Sequence, residues 1–163
     1  MIRSFIAILA LFLFFPIASF AEQSSWSFSI GQFDVNDDDD VQNSSSEIRF
    51  EYLSGKNLFH KLKPFTGLMI NGDDGKYLYS GLRKDITISP KWIFTPSIAV
   101  GYYDRGSSKD LGHNLEFRSQ IEFSRDIGNQ NRLGFNLNHI SNASIGDTNP
   151  GVESVAISII RSF

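Results

Sequence analysis

Apolar and polar residues alternate with a period of two through most of the chain after residue 22. In the clearest run, Trp92, Phe94, Ile98, Val100 and Tyr102 share one parity, and small or polar residues take the other. This alternation predicts β-strands with one apolar face, because successive side chains of a strand point to opposite sides. Eight strands are predicted, in the segments that contain Trp26, Ile48, Leu68, Leu78, Trp92, Phe117, Phe135 and Ile157.

The connections between these segments predict an antiparallel barrel. Long or polar connections at 36–46, 71–76, 104–112 and 142–152 alternate with shorter ones around Lys56, Ser89 and Asn129. An even number of antiparallel strands places the first set at one end and both termini at the other. In the first strand the apolar parity changes after Gly31, which predicts a β-bulge there.

Alternation alone does not say which face of the sheet is buried. A soluble barrel or sandwich, including a lipocalin-like carrier, would turn the apolar parity inward, whereas an outer-membrane barrel turns it outward. Three features favour the membrane: charges of both signs on the polar parity, aromatic rings near strand ends, and a terminal Phe163. The charges are Glu47, Arg49, Glu51, Glu116, Arg118, Glu122 and Arg132, and the rings are Trp26, Tyr77, Tyr79, Trp92, Tyr102 and Tyr103.

The predicted fold class is therefore all-β, an eight-stranded antiparallel transmembrane β-barrel of the bacterial outer membrane. Residues 1–21 are predicted to be a signal peptide: Arg3 precedes an apolar run, and Ser19 and Ala21 suit the cleavage site. Residues 22–163 are predicted to form a single barrel domain. The chain has no cysteine, which excludes disulfides and thiolate metal sites.

The charge balance argues against nucleic acid as a partner. Fifteen Lys and Arg stand against 18 Asp and Glu, a net charge of −3. This leaves no basic surface typical of nucleic-acid binding. The expected partners are outer-membrane lipids, and a homodimer is left open. The run Asp37–Asp40 is interpreted as a solvated loop tip.

Three residues near the end of the chain suggest chemistry. His139 and Ser141 lie two apart on the seventh strand, so their side chains leave the same apolar face. Glu153 lies on the matching face of the eighth strand. A symmetrical hairpin would pair residue 141 with 153 and residue 139 with 155, within reach of one another. Ionisable groups on a lipid-facing wall are costly and so are candidates for function.

These residue types point to acyl transfer. A neutral imidazole can accept the proton of a serine hydroxyl as it attacks a carbonyl carbon, and a carboxylate on the other ring nitrogen fixes the tautomer. Asn142, beside the serine, is the candidate oxyanion donor, together with N–H groups of the following turn. The reaction needs no metal and no cofactor.

Two motifs resemble the signature of the lipid A 3-O-deacylases of the PagL type. They are His-Ile-Ser-Asn-Ala at residues 139–143 and Asn-Pro-Gly-Val-Glu at residues 149–153. The resemblance implies an eight-stranded outer-membrane barrel with its active site on the outer wall, near the outer leaflet. It implies that Ser141 is the nucleophile, His139 the base and then the acid, and Glu153 the residue that orients His139. The implied substrate is the ester-linked 3-hydroxyacyl chain at position 3 of lipid A.

One alternative of another class stays open at this stage. A non-enzymatic small outer-membrane barrel with a binding or structural role would explain everything except the coincidence of His139, Ser141 and Glu153.

Overall fold

The computed structural model describes residues 23–36 and 44–163, and these form a closed β-barrel. The predicted signal peptide and Asp37–Asp40 lie outside the described residues. The strands are β1 Ser25–Phe33, β2 Ser45–Leu53, β3 Lys63–Asn71, β4 Lys76–Arg83, β5 Ile86–Ser89, β6 Trp92–Asp104, β7 Leu115–Gly128, β8 Asn131–Ser141 and β9 Val152–Ser162. A 3₁₀ turn, Phe59–Lys61, lies between β2 and β3. The described residues contain no helix of the length and apolarity needed to cross a membrane.

All neighbouring strands are antiparallel, and β1 pairs with β9 to close the wall. Strands β4 and β5 both pair with β6, and the register of β4 continues through Ile86 and Thr87 before it shifts at Ser89. The two are therefore segments of one wall strand. The break between them lies opposite Pro96, which has no N–H to donate to the ladder. At this point Pro96 accepts a hydrogen bond through its carbonyl, from the Lys84 N–H at 3.1 Å, but it cannot donate one in return. The wall therefore has eight strands, as the sequence predicts.

The apolar parity faces outward and the polar parity faces the lumen. Phe28, Ile98 and Phe135 are exposed on the outer wall. Inside, Arg49 pairs with Glu47, and Arg118 pairs with Glu51 at 2.9 Å, with both partners of each pair buried. This orientation is the reverse of what a soluble barrel or a lipocalin-like carrier needs, so those alternatives are wrong.

The β-bulge that the sequence analysis predicts at Gly31 is wrong. The register of β1 runs without a shift through Gly31 against both neighbours, so there is no bulge. The parity changes because Phe33 turns into the lumen. A Cβ on Gly31 would lie 2.1 Å from the Val155 carbonyl oxygen, which explains the glycine as a site of close backbone approach.

The interfacial aromatic residues are only partly as predicted. Trp26, Trp92 and Tyr102 are exposed on the outer wall, as a membrane interface requires. Tyr77, Tyr79 and Tyr103 are instead buried in the lumen. The rings of Tyr77 and Tyr79 stack 4.9 Å apart, and the Arg118 guanidinium lies 4.2 Å from the centre of the Tyr79 ring. These three tyrosines fill the barrel and do not contact lipid.

The connections alternate between the two ends as expected. Residues 72–75, 105–114 and 142–151 connect strands at one end, where β1 also finishes and β2 begins; we call it the loop end. The described chain begins and finishes at the opposite end, where Phe163 packs beside Trp26 with the ring centroids 6.1 Å apart. His139, Ser141 and Glu153 all lie at the loop end.

Candidate active site

The register of β8 and β9 brings His139 and Glu153 face to face. His139 pairs directly with Glu153, and Leu137 pairs with Val155. The predicted register, with 141 opposite 153 and 139 opposite 155, is therefore wrong by two residues. Because strands have a period of two, this shift leaves all three candidate side chains on the outward face.

The two side chains form a hydrogen-bonded pair on the outer wall. His139 Nδ1 lies 2.9 Å from Glu153 Oε1. The imidazole is 46% exposed and the carboxylate side chain 42%, so the pair is neither buried in the lumen nor fully projected into the surroundings. A carboxylate on Nδ1 holds the proton on that nitrogen and leaves Nε2 as the acceptor.

Ser141 is the last residue of β8 and lies one pleat beyond His139 on the same face. It pairs with Phe117 of β7 and is partly exposed. Within residues 23–36 and 44–163 its hydroxyl makes no hydrogen bond, so that oxygen is available to a substrate. Residues two apart on a strand are separated by about 6.6–6.8 Å, a gap that a histidine ring can largely bridge.

The backbone at Gly151 lies close to the imidazole of His139. Continuing the β8–β9 register places Gly151 opposite Ser141, and its φ is +66°. A Cβ at Gly151 would lie 3.0 Å from His139 Cε1 and 3.7 Å from Nε2. The Cε1–Nε2 edge of the ring therefore faces the level of Ser141, while the Nδ1 edge faces Glu153.

Asn142 lies on the other side of the wall from these residues. Its side chain is buried, and Nδ2 donates to the carbonyls of Leu111 and Thr148, each at 2.7 Å. Its backbone N–H donates to Asn149 Oδ1 at 3.0 Å. The predicted oxyanion contact of the Asn142 amide does not fit this geometry, because both amide hydrogens are already donated. The residue joins the loop after β8 to the loop after β6.

The turn after Asn142 presents unused backbone donors beside Ser141. Ala143 and Ser144 have φ values of 53° and 61°, and the Ile145 N–H donates to the Asn142 carbonyl at 3.2 Å. Two consecutive positive φ values with this bond define a type I′ turn. In the part of the chain that the structure describes, nothing accepts a hydrogen bond from the Ala143 or Ser144 N–H.

Three residues of this region were given no role in the sequence analysis, although two of them belong to the motif at 149–153. Gly151 leaves the space beside the His139 ring that a Cβ would fill, Asn149 accepts the Asn142 N–H, and Ser119 of β7 pairs directly with His139. The sequence carries a signal for one of them: a glycine two residues before a candidate glutamate suits a positive φ or a close approach. The others follow only from the register and from the contact between the two loops.

The wall below the site, toward the other end of the barrel, is apolar. The next outward row after His139 and Glu153 contains Ile121, Leu137 and Val155 in register across β7, β8 and β9. The row beyond it contains Phe123, Phe135 and Ile157. A polar site thus sits at the loop end of a hydrocarbon-like surface.

Comparison with known structures supports the same architecture. A crystal structure of the outer membrane enzyme PagL is 17% identical, with a TM-score of 0.63 over 85% of this chain and 99% of that one. A de novo designed transmembrane β-barrel is 11% identical, with a TM-score of 0.62 over 90% and 100% of the two chains. Neisserial surface protein A is 13% identical, with a TM-score of 0.54 over 89% and 100%. At these identities the likeness defines the fold alone.

The fold and its outward apolar face define an eight-stranded outer-membrane β-barrel. No curated protein matches the sequence. The family model for lipid A 3-O-deacylase (PagL) matches residues 75–160, just over half of the chain. The chain belongs to this family, and it is a carboxylic ester hydrolase of the outer membrane. The non-enzymatic alternative is therefore wrong.

Proposed function

We propose that this protein hydrolyses the 3-O-linked 3-hydroxyacyl chain of lipid A with Ser141 as nucleophile, His139 as base and Glu153 as the residue that orients His139. The observation that carries the proposal is the 2.9 Å contact between His139 Nδ1 and Glu153 Oε1 on the outer wall. That contact leaves Nε2 as the acceptor for the proton of Ser141.

The first half of the reaction forms an acyl-enzyme. His139 Nε2 accepts the hydroxyl proton as Ser141 Oγ attacks the ester carbonyl carbon. The tetrahedral intermediate collapses with cleavage of the bond to the sugar oxygen at position 3. The imidazolium returns the proton to that oxygen, so the lipid leaves with a free 3-hydroxyl group.

The second half regenerates the enzyme. His139 accepts a proton from water as the water oxygen attacks the acyl carbon. The second intermediate collapses with cleavage of the bond to Ser141 Oγ, the imidazolium returns the proton to that oxygen, and the 3-hydroxy fatty acid leaves. The negative charge of each intermediate needs hydrogen-bond donors. The unused N–H groups of Ala143 and Ser144 suit this role, and Asn142 would serve it indirectly by holding the turn.

The position of the three residues also suits the substrate. Lipid A lies in the outer leaflet, and the proposed site lies on the outward wall at the loop end. A substrate could reach this site by lateral diffusion, with its acyl chains along the apolar rows that contain Leu137 and Phe135.

The test is the mass spectrum of lipid A from bacteria that express the wild-type protein or a variant. The wild-type protein should lower the mass by one 3-hydroxyacyl chain, and Ser141→Ala should abolish the change. Glu153→Gln should lower the rate by about 10²-fold or more but less than Ser141→Ala, because an orienting carboxylate contributes less than the nucleophile. Ser80→Ala, an outward serine on β4, is the matched control and should act as wild type.

Heat-dependent gel mobility should show a folded barrel for every variant. Undiminished release of the fatty acid by folded Ser141→Ala protein would overturn the serine mechanism.

A further inference from the structure

Ser119 places a hydroxyl group on the outer wall beside His139. It lies on β7, pairs directly with His139 on β8, and is exposed. Its neighbours on the same face are Phe117 and Ile121 on its own strand and Ile98 on β6, all three exposed apolar side chains. Ser119 is thus a polar position within an apolar surface, at the level of the proposed base.

The Ser119 hydroxyl has no partner among the residues that the structure describes. Two hydroxyls elsewhere on the outer wall, those of Thr66 on β3 and Ser80 on β4, are satisfied within the protein. Thr66 Oγ1 donates to the Tyr79 carbonyl at 2.9 Å, and Ser80 Oγ donates to Thr66 Oγ1 at 3.0 Å. An unpaired hydroxyl against hydrocarbon is unfavourable, because nothing there replaces its hydrogen bonds to water. A ligand that brings its own hydroxyl would remove this penalty.

We propose that Ser119 binds the 3-hydroxyl group of the acyl chain that is removed, and so selects 3-hydroxyacyl esters over unsubstituted ones. This inference rests on the proposed function, because it uses Ser141 as the point of attack. Ser119 lies diagonally across β7 and β8 from Ser141, a separation of about 7–8 Å. The acyl C3 lies two carbon–carbon bonds, or about 2.5 Å, from the carbonyl carbon.

The direction of the acyl chain brings these groups together. A chain attached at Ser141 that runs along the wall toward Ile121 and Leu137 must pass the row of Ser119 and His139. Its 3-hydroxyl then lies between Ser141 and Ser119, within reach of the Ser119 Oγ. An ester without this hydroxyl would leave Ser119 unpaired in the complex, and loss of such a contact discriminates between substrates.

A structural role for Ser119 would have a different signature. If the hydroxyl served only to position the His139 ring, its removal would slow every ester equally. If it binds the acyl 3-hydroxyl, its removal lowers kcat/KM only for esters that carry that group.

The experiment uses the purified full barrel in detergent micelles with two synthetic esters of a 3-O-acylated glucosamine lipid. One carries a 3-hydroxytetradecanoyl chain and the other a tetradecanoyl chain. The wild-type protein should prefer the hydroxylated ester. Ser119→Ala should lower kcat/KM for that ester about three- to tenfold, the value of one hydrogen bond, and leave the other unchanged. Ser119→Thr should retain the preference, and Ser80→Ala should match wild type on both esters.

Equal losses on both esters, no loss on either, or a wild-type protein without preference would each overturn the assignment of Ser119. Ser141→Ala is measured in parallel on both esters. If that variant still cleaves them, the proposed function fails, and this failure is separate from the preference ratio that tests Ser119.

Discussion

At residue 151, just before β9, the backbone comes so close to His139 that only a glycine leaves the ring undisturbed. The φ of +66° is unfavourable for any residue with a Cβ, and that Cβ would lie 3.0 Å from His139 Cε1. Gly128 offers a matched comparison, because its φ is +87° but a Cβ there would meet nothing within 4 Å. Comparison of substitutions at the two glycines therefore distinguishes the effect of backbone strain from the effect of contact with His139.

We therefore expect Gly151→Ala and Gly128→Ala to lower stability by a similar amount, about 1–2 kcal/mol each. Only Gly151→Ala should also slow ester hydrolysis, by about tenfold or more, because its methyl group displaces the ring from Ser141. Thermal unfolding followed by gel mobility gives the first quantity, and initial rates on lipid A give the second. Equal rates for the two variants would show that the Gly151 contact does not set the ring position.

The placement of His139, Ser141 and Glu153 on one outward face could be predicted from the sequence, because parity alone decides it. The two-residue error in register did not matter for that face. The surroundings could not be predicted in the same way. Asn142 turns inward because carbonyls of two different loops accept its amide hydrogens, and this depends on the packing of 105–114 against 142–151.

Among the strands, β7 joins the two sides of the lumen through Arg118. Its guanidinium pairs with Glu51 of β2 at 2.9 Å and lies against the Tyr79 ring of β4 at 4.2 Å. Tyr79 in turn donates its hydroxyl hydrogen to Glu51 Oε1 at 2.9 Å. Side chains from three separate wall strands thus meet in one buried group.

Removal of one charge from this group should be costly. Arg118→Met leaves the Glu51 carboxylate buried without its cation, and we expect the free energy of unfolding to fall by about 3–5 kcal/mol. The double variant Glu51→Gln with Arg118→Met should recover part of this loss, because no uncompensated charge remains. Urea unfolding of the purified barrel measures these two variants and the single variant Glu51→Gln. If the stability lost in the double variant equals the sum of the losses in the two single variants, Glu51 and Arg118 do not stabilise the fold as a pair.

The element pattern was easier to predict than the roles of the rings. Period-two alternation gave the eight wall strands, since a barrel requires it on every strand. It did not separate lumen tyrosines from interfacial ones, because aromatic rings suit both places. Tyr77, Tyr79 and Tyr103 lie on the lumen parity, where Tyr77 packs against both other rings and Tyr79 lies against Arg118. Parity was therefore a better guide than nearness to a strand end.

For the molecule as a whole, a net charge of −3 conceals two ends of opposite sign. Among the described residues, the end opposite the loop end carries nine basic side chains and two acidic ones. The basic ones are Lys56, Lys61, Lys63, Arg83, Lys84, Lys91, Arg125, Arg132 and Arg161, and the acidic ones are Asp85 and Asp126. The loop end carries mainly acids, including Asp73, Asp104 and Asp147. The two ends would therefore meet different surroundings, and the proposed site belongs to only one of them.

The orientation of the barrel decides whether the proposed site can meet lipid A at all. The chain has no cysteine, so Asp73→Cys at the loop end and Lys91→Cys at the opposite end each introduce a single thiol. A membrane-impermeant maleimide should label intact cells that carry Asp73→Cys and spare those that carry Lys91→Cys, whereas both should react after permeabilisation. The reverse pattern would place His139, Ser141 and Glu153 at the inner leaflet. Lateral access from the outer leaflet would then be impossible, because these side chains lie at the loop end of a closed wall.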